Sequence, residues 1–278
     1  MRIAVTGAGG QLGHAMALRL SERHEVTALA RADLDVSRAA DVARVLAAIR
    51  PEAIVNCAAY NAVDRAEDDV LAALEGNAFG VHALARAAAR EGAVLVHYST
   101  DFVFDGTADR PYVEDAPVSP LSVYGQSKLL GEWLTRDAPR CYILRVESLF
   151  GGPLPRSSID RIAEAIRAGR ETRVFEDRVV SPAFVEDVVT ATAALLERQI
   201  DGGLYHCVNS GHATWHTVAR EIGAVLGVEP RLVPVRLADA ALRARRPHYC
   251  ALSNDKLAAA GIPMPTWQDA LRRHLAEH

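Results

Sequence analysis

The amino-acid sequence predicts an α/β fold, a doubly wound parallel sheet followed by a smaller C-terminal domain. Short β-rich runs alternate with helical patterns through the first half of the chain, which is typical of parallel strands joined by crossover helices. Most of these runs are apolar throughout, as expected for strands covered by helices on both faces. The alternation ends after about residue 150, and this change indicates the second domain.

The predicted strands and helices of the first half form four units in series. Strands are expected at residues 3–6, 25–29, 53–56, 94–98 and 142–146, and the helices between them at residues 11–22, 39–49, 75–91 and 125–135. Such units build one sheet whose ligand cleft lies beyond the carboxyl ends of its strands. We therefore assign residues 1–150 to this sheet domain.

Residues 151–278 have a less regular pattern. Helices are expected at residues 158–168, 185–198 and 214–226, whereas residues 228–251 contain three prolines and favour loop or irregular strand. We expect a small substrate-binding domain that covers the ligand edge of the sheet. The segment near residues 183–208 is expected to pack back on the first domain.

Composition excludes several classes of protein. Of the 278 residues, 50% are hydrophobic and 24% charged, as in ordinary globular proteins, and no apolar run reaches the roughly 18 residues that span a bilayer. The net charge of −4 argues against a nucleic-acid partner. The chain starts like a buried strand rather than a signal peptide, and its four cysteines form no close pair. We expect a cytoplasmic protein with reduced thiols and no membrane partner.

Three evenly spaced glycines, Gly7, Gly10 and Gly13, follow the first strand and open a helix. Glycine permits the tight turn and lets main-chain N–H groups approach a pyrophosphate, and the helix N-terminus adds partial positive charge. A glycine-rich turn without a ligand is the alternative. The position between the first strand and the first helix favours a dinucleotide, so the motif predicts a Rossmann-type cofactor site.

Tyr124 and Lys128 are four residues apart in a predicted helix, so their side chains share one face. A nearby cation favours the ionised form of a phenol, whose free pKa is about 10. Tyr124 can then protonate an alkoxide formed on a reduced carbonyl. Only two lysines occur among 31 basic residues, so chance rarely produces this pair. The compact ammonium also suits contact with a ribose and a phenol together.

Residues 98–104 end the fourth strand, where an open parallel sheet binds its ligands. Ser99, Thr100 and Asp101 are therefore expected to face the cleft. A hydroxyl at this position can hydrogen-bond the carbonyl that is reduced. The same residues also form ordinary turns, and they gain their meaning from the Tyr124–Lys128 pair.

Other candidate sites have weaker support. His212 and His216 are four residues apart but have no acidic or cysteine ligand with them, so we expect no metal site. No Gly-x-Ser-x-Gly segment is present to support a serine nucleophile. Arg243, Arg245 and Arg246 form either a solvated loop or a clamp on a diphosphate.

The motifs together resemble those of the extended short-chain dehydrogenase/reductases, and within them the dTDP-4-dehydrorhamnose reductase family. The resemblance spans nearly the whole chain and is carried by residues 7–13, 55–64, 98–106, 124–132, 203–206 and 246–248. It implies a reductase of a 4-keto sugar nucleotide that uses a nicotinamide cofactor. It also implies that Thr100, Tyr124 and Lys128 form the catalytic set.

The motifs and the resemblance together assign residues to the two ligands. The cofactor is expected to contact Gly7, Gly10, Gln11, Leu12, Gly13, Arg31, Asp35, Val36, Ala58, Ala59, Tyr60, Asn61, Tyr98, Tyr124 and Lys128. The substrate is expected to contact Val63, Thr100, Asp101, Phe102, Tyr124, Ser148 and Arg246.

A residue just beyond the second strand bears on the choice of cofactor. NAD-preferring sites of this architecture place an acidic residue there, whereas this chain has Arg31. A guanidinium can form a charge-assisted contact with a 2′-phosphate, so we expect NADPH, with NADH as the alternative cofactor. A surface arginine without this role is the other interpretation.

The chain departs from the family pattern at three positions. Phe102 replaces the usual tyrosine, and Ser148 replaces a tryptophan that contacts the sugar. Ala15 replaces a glutamate that some members use in a magnesium-linked dimer. The resemblance therefore supports the reductase chemistry best and the metal-bridged dimer least. A homodimer formed by other contacts remains open.

Two further interpretations remain open. One is another extended family member, an epimerase or a reductase of a different nucleotide sugar or carbonyl compound. Dehydratases match poorly, because they have a glutamate where Phe102 stands. The other is a regulatory protein that binds the cofactor without turnover, which the intact Tyr124 and Lys128 argue against.

Overall fold

The computed structural model describes residues 1–154 and 157–276. Its strands are β1 (Arg2–Thr6), β2 (Glu25–Leu29), β3 (Ala53–Asn56), β4 (Val94–Thr100), β5 (Arg140–Val146), β6 (Leu149–Phe150), β7 (Thr172–Phe175), β8 (Val179–Val180), β9 (Ala183–Phe184), β10 (Gly203–His206), β11 (Ala213–Thr214) and β12 (Leu232–Val235). Its helices are α1 (Gln11–Ser21), α2 (Ala39–Ile49), α3 (Val70–Leu74), α4 (Gly80–Glu91), α5 (Val123–Leu134), α6 (Ser158–Arg167), α7 (Val185–Glu197), α8 (Trp215–Leu226), α9 (Asp255–Ala259) and α10 (Trp267–Ala276).

The central sheet has six strands in the order β10-β5-β4-β3-β1-β2, and every neighbouring pair is parallel. The predicted doubly wound α/β fold is therefore confirmed. The chain reverses its direction of winding between β1 and β3, and the carboxyl ends of strands at such a switch point form the ligand crevice. The loops after β1 and β3 meet there.

Helices cover both faces of the sheet because alternate strand residues point in opposite directions. Ile3 and Val5 join the core under α1 and α7, whereas Ala4 joins the core under α2 and α4. All three are fully buried. β10 and α7 come from the segment near residues 183–208, and β10 pairs with β5 in the main sheet.

A second hydrophobic core lies beyond residue 150 and is built by α6, α8 and α10. Its buried side chains include Ile159, Val218 and Leu271. β12 pairs in parallel with β7 at its edge, and Pro234 is tolerated there because an edge strand can lack one donor. None of the helices within the described residues has the length and apolar character needed to cross a membrane.

The predicted helix over residues 75–91 is helical throughout, but it begins earlier, at Val70, and is not regular. Residues Glu75–Phe79 form a π-helical turn, and the regular helix α4 begins at Gly80. Such turns carry one extra residue and are frequent at functional sites. Here the turn contains Asn77, whose side chain reaches the loop after β3.

Candidate active site

The glycine loop forms a close-packed turn between β1 and α1. Gly7 has φ of 69°, and its carbonyl accepts a hydrogen bond from Gly10 N at 2.9 Å. A Cβ on Gly7 would lie 2.6 Å from Ala58 N, and one on Gly13 would lie 2.3 Å from Gly7 O. No acidic residue occupies the first turn of α1. The loop therefore leaves a bare, partly positive helix end that fits a diphosphate.

A cavity of about 560 Å³ lies beside this loop, toward β2. Arg31 is at its rim with its side chain 87% exposed, and Arg31 Nη2 is 3.5 Å from Asp35 Oδ2. Hydrogen bonds from Ser37, above all from its hydroxyl, lower the pKa of Asp35. Val36 also lines the cavity, and so does Arg65, which the sequence did not single out. This end presents two arginines to a ligand.

The loop after β3 is held by Asn77. Asn77 Oδ1 accepts from Tyr60 N at 2.8 Å, and Asn77 Nδ2 donates to Tyr60 O at 3.0 Å. The same Nδ2 donates to Ser127 Oγ on α5 at 3.0 Å. Asn77 thus links the loop that carries Ala59 and Asn61 to the helix that carries Tyr124.

Tyr124 and Lys128 are both buried on α5. Lys128 Nζ donates to the main-chain oxygen of Tyr98, and burial lowers the pKa of Lys128 to about 8. Burial, with a further contribution from the charge of Asp101, raises the pKa of Tyr124 well above its usual value. The ligand-free site therefore keeps the phenol protonated, which is the state that a proton donor requires.

Thr100 ends β4 beside Tyr124. Its hydroxyl donates to Asp101 Oδ1 at 2.9 Å and accepts from Phe102 N at 3.3 Å. Thr100 and Tyr124 line the same cavity, and the Thr100 hydroxyl partly offsets the effect of burial on the pKa of Tyr124. The phenol of Tyr98 points instead into the core, where it bonds Thr192 Oγ1 at 2.6 Å.

A second cavity of about 400 Å³ brings the two halves of the site together. Gln11, Leu12, Thr100, Tyr124 and Lys128 line it. Residues that line both cavities are Gly10, Cys57, Ala58, Ala59 and Asn61. One cleft therefore runs from Arg31, past the glycine loop, to Tyr124.

Six of the seven residues predicted to contact substrate lie at the Tyr124 end of this cleft, and Arg246 does not line the cavity. Val63, Asp101, Phe102 and Ser148 line the 400 Å³ cavity. Ser148 has φ of 45°, an uncommon conformation for a residue other than glycine. The ring of Phe102 makes an edge contact with Tyr124 at 5.5 Å between centroids.

Arg246 lies over the Phe102 ring. Its guanidinium carbon is 5.8 Å from the ring centroid, and its Nη2 pairs with Asp64 Oδ2 at 2.8 Å. Arg243 pairs with Asp68 at 2.7 Å. These contacts tie the loop at residues 243–246 to the segment after β3.

Comparison with known proteins identifies the family. The model of the RmlD substrate binding domain matches residues 1–278. The chain belongs to this family. A dTDP-4-dehydrorhamnose reductase of Burkholderia thailandensis is 35% identical, over 98% of this chain and 97% of that protein. The family resemblance inferred from the motifs is confirmed.

Two further relatives add detail. A probable dTDP-4,6-dihydroxy-2-methyloxan-3-one 4-ketoreductase of Streptomyces antibioticus is 39% identical, over 98% of this chain and 94% of that protein. The crystal structure of dTDP-4-dehydrorhamnose reductase from Bacillus anthracis in complex with NADP has a TM-score of 0.95 and 30% identity, covering 100% of this chain and 99% of that one.

In this member of the RmlD family, two charged residues near the Tyr124 cavity have no signal in the sequence. Arg178 lies over Phe102, with its guanidinium carbon 5.5 Å from the ring centroid. It also lines a neighbouring cavity of about 300 Å³ with Arg161, Arg173 and Trp215. Glu147 lines the Tyr124 cavity. No local spacing marks these residues, because they come from separate segments.

Asp101, Glu147 and Cys250 form the one grouping with metal-ligand geometry within the described ranges. All three are buried, and one ligand atom of each lies within 4.8 Å of the others. His212 and His216, for which no metal site was expected, do not belong to it.

Proposed function

We propose that the protein is an NADPH-dependent reductase of 4-keto sugar nucleotides, with a dTDP-4-dehydro-6-deoxyhexose as the preferred substrate class. The observation that carries this proposal is the continuous cleft, which joins a dinucleotide-type glycine loop to the buried Thr100, Tyr124 and Lys128. The named activities of the Burkholderia and Streptomyces relatives support it. NADH is the alternative cofactor.

The residues present fit a dinucleotide. A Cβ on Gly7 or Gly13 would clash with neighbouring main chain, so both glycines permit the tight turn that presents N–H groups to a diphosphate. Arg31 and Asp35 lie at the adenosine end. The middle of the dinucleotide would be held by Gln11, Leu12, Ala58, Ala59, Tyr60 and Asn61. Tyr98 and Lys128 would hold the part nearer to Tyr124. When bound, the reduced nicotinamide supplies a hydride.

Tyr124 and its neighbours carry the acid chemistry in this proposal. Tyr124 gives its proton to the alkoxide oxygen, which is a stronger base than tyrosinate. Thr100 hydrogen-bonds the same oxygen as negative charge develops. Lys128, held by the Tyr98 carbonyl, keeps positive charge beside the phenol as the proton leaves.

The rest of the substrate is proposed to lie against Val63, Asp101, Phe102 and Ser148. Arg246 is proposed to bind the diphosphate of the substrate. Its guanidinium lies over the ring of Phe102 and can form charge-assisted hydrogen bonds with phosphate. Residues 151–278, apart from the segment that joins the main sheet, are proposed as the substrate-binding part.

A homodimer and a cytoplasmic location complete the proposal. Ala15 offers no carboxylate for a metal bridge, so a dimer would form by other contacts. All four cysteines are free thiols, which suits a reducing compartment.

The test is to incubate the protein with NADPH or NADH and a panel of 4-keto sugar nucleotides while following oxidation of the reduced cofactor. We expect oxidation that depends on substrate, with a 4-hydroxy sugar nucleotide as product. Tight cofactor binding without turnover on any member of the panel would indicate a regulatory protein instead. Turnover of a 4-hydroxy sugar to its epimer would indicate an epimerase.

A further inference from the structure

A cluster of buried charged groups lies behind the reacting end of the cleft. Asp101 follows β4 and Glu147 follows β5, two neighbouring parallel strands, so both carboxyls lie at the same edge of the sheet. Asp101 is 3% exposed and Glu147 is 2% exposed. Arg178 approaches from the segment after β7, with Nη2 4.0 Å from Asp101 Oδ2.

Each carboxyl has one oxygen with a hydrogen-bond partner and one without. Asp101 Oδ1 accepts from the Thr100 hydroxyl at 2.9 Å, and Glu147 Oε2 accepts from Ser181 N at 2.6 Å. Across the described residues, Asp101 Oδ2 and Glu147 Oε1 are buried and have no donor. Two ionised carboxylates in this position would leave both oxygens unsatisfied, which is costly in a buried site.

One proton on the pair reduces this cost. Ligand atoms of the two carboxyls lie within 4.8 Å of each other, and the shared proton leaves one negative charge to balance the single positive charge of Arg178. Burial, followed by the charge of Asp101, raises the pKa of Glu147 well above its usual value, and burial raises that of Asp101. The other titratable groups that face the pair are Cys250, Tyr124 and Tyr249.

A metal ion fits this cluster less well. Cys250 donates its thiol hydrogen to Pro247 O at 3.3 Å, and Arg178 Nη2 is 3.7 Å from Cys250 Sγ. A metal-bound cysteine is a thiolate, and a guanidinium within 4.0 Å of two of the three ligands would repel the ion. Arg178 already supplies the positive charge of the cluster.

We propose that Asp101 and Glu147 share one proton and act as a positioning pair for Thr100. In the free protein the proton lies on Glu147, and Asp101 is the anion that accepts the Thr100 hydroxyl, which is 2.9 Å from Asp101 Oδ1. When substrate binds, the proton passes from Glu147 Oε1 to Asp101 Oδ2. One O–H bond breaks, one forms, and the negative charge moves to Glu147, beside Ser181 N and Arg178.

This transfer has two consequences for the proposed reduction, on which the inference rests. A neutral Asp101 is a weaker acceptor, so Thr100 can turn its single hydrogen to the substrate oxygen. The negative charge also moves away from Tyr124, whose pKa the charge of Asp101 raises. Both changes favour the developing alkoxide and the proton transfer to it.

The first test is infrared difference spectroscopy of the free protein at pH 7, with and without Glu147→Gln. We expect the wild type to show the C=O band of a protonated carboxylic acid and Glu147→Gln to lack it. Asp101→Asn should also lack it, because Glu147 alone beside Arg178 ionises. Glu164→Gln is the matched control, since Glu164 is 73% exposed on α6, and should leave the band unchanged. Absence of the band in the wild type overturns the proposal.

Kinetics test the positioning role. Glu147→Gln keeps an acceptor for Ser181 N but cannot give Asp101 a proton. We expect kcat to fall at least about 10-fold with KM little changed, since a lost donor to a developing oxyanion costs about 10²–10³ in kcat. A wild-type band together with normal kcat in Glu147→Gln would overturn the positioning role.

Two controls distinguish a shared proton from a folding defect and from a bound metal ion. Thermal unfolding should show that Glu147→Gln folds as the wild type does, and Asp101→Asn gives an independent variant if it does not. A rise in the unfolding temperature of the wild type, but not of Glu147→Gln, with Zn²⁺ would identify a metal site and overturn the proposal. If no 4-keto sugar nucleotide is reduced, the proposed function fails, whereas the infrared band still decides where the proton lies.

Discussion

The two ends of the cleft differ in whether the main chain or the side chains shape them. At the cofactor end, main-chain atoms and missing side chains shape the site, as the close approaches of Gly7 and Gly13 show. At the substrate end, buried polar side chains shape it, with Thr100, Asp101 and Glu147 each no more than 5% exposed. A substitution at the first end should change geometry and binding, whereas one at the second end should change charge and rate.

The largest effect is expected for Tyr124→Phe, which removes one hydroxyl from the substrate end. We expect kcat to fall by about 10²–10⁴, the usual contribution of a positioned acid, while NADPH affinity stays near the wild-type value. Steady-state kinetics and cofactor titration measure the two quantities. Tyr205→Phe is the control, because its hydroxyl donates to Asp201 O at the sheet edge. Near-normal turnover would remove Tyr124 from the mechanism.

Gly13→Ala tests the cofactor end in the same way. Its Cβ would lie 2.3 Å from Gly7 O, so the loop must shift and lose its close fit to a diphosphate. We expect NADPH affinity to fall at least about 10-fold, or ~1.4 kcal/mol, and stability to fall by about 1–3 kcal/mol. Gly223→Ala is the control, because its Cβ would lie 2.7 Å from Pro230 Cδ but Gly223 is on α8 and lines neither cavity. Unchanged affinity in Gly13→Ala would contradict the role given to the loop.

Arg31→Ala should have a smaller effect, because an 87% exposed side chain interacts through screening solvent. We expect the wild type to prefer NADPH over NADH several-fold in kcat/KM, and the variant to lose most of that preference. Arg44→Ala is the control, since Arg44 is also largely exposed on α2 and pairs with Asp41. A wild type that favours NADH, or an unchanged ratio in Arg31→Ala, would show that Arg31 does not read the 2′-phosphate.

The smallest effect is expected for selectivity at Ser148. A serine leaves more room than the family's tryptophan, so the wild type should reduce more than one 4-keto hexose nucleotide. Ser148→Trp should narrow that range, with relative kcat/KM over the panel as the measure, while Ser148→Ala leaves it unchanged. Strict selectivity in the wild type would mean that another side chain fills the space that a tryptophan at residue 148 would occupy.

Local sequence patterns predict some features of the fold and of the site, but not all of them. The strands at residues 25–29 and 53–56 have the predicted bounds. Residues 53–56 are buried throughout, as expected, whereas β2 lies at the sheet edge with only Leu29 buried, so the expected burial of both its faces was wrong. The predicted residues Thr100, Tyr124 and Lys128 line one cavity, since a helical spacing of four and a strand end are both local signals. Their catalytic roles remain predictions.

The sequence by itself determined the parallel sheet, the glycine loop and the placement of Tyr124 and Lys128, because each depends on residues close together in the chain. Only the tertiary structure decided how Asn77 bridges the loop after β3 to α5, and how Asp101, Glu147 and Arg178 meet. The last three residues belong to separate segments, and strand register together with packing of the C-terminal part brings them together. Contacts of this kind leave no periodic signal, because their energy comes from burial and pairing across the fold.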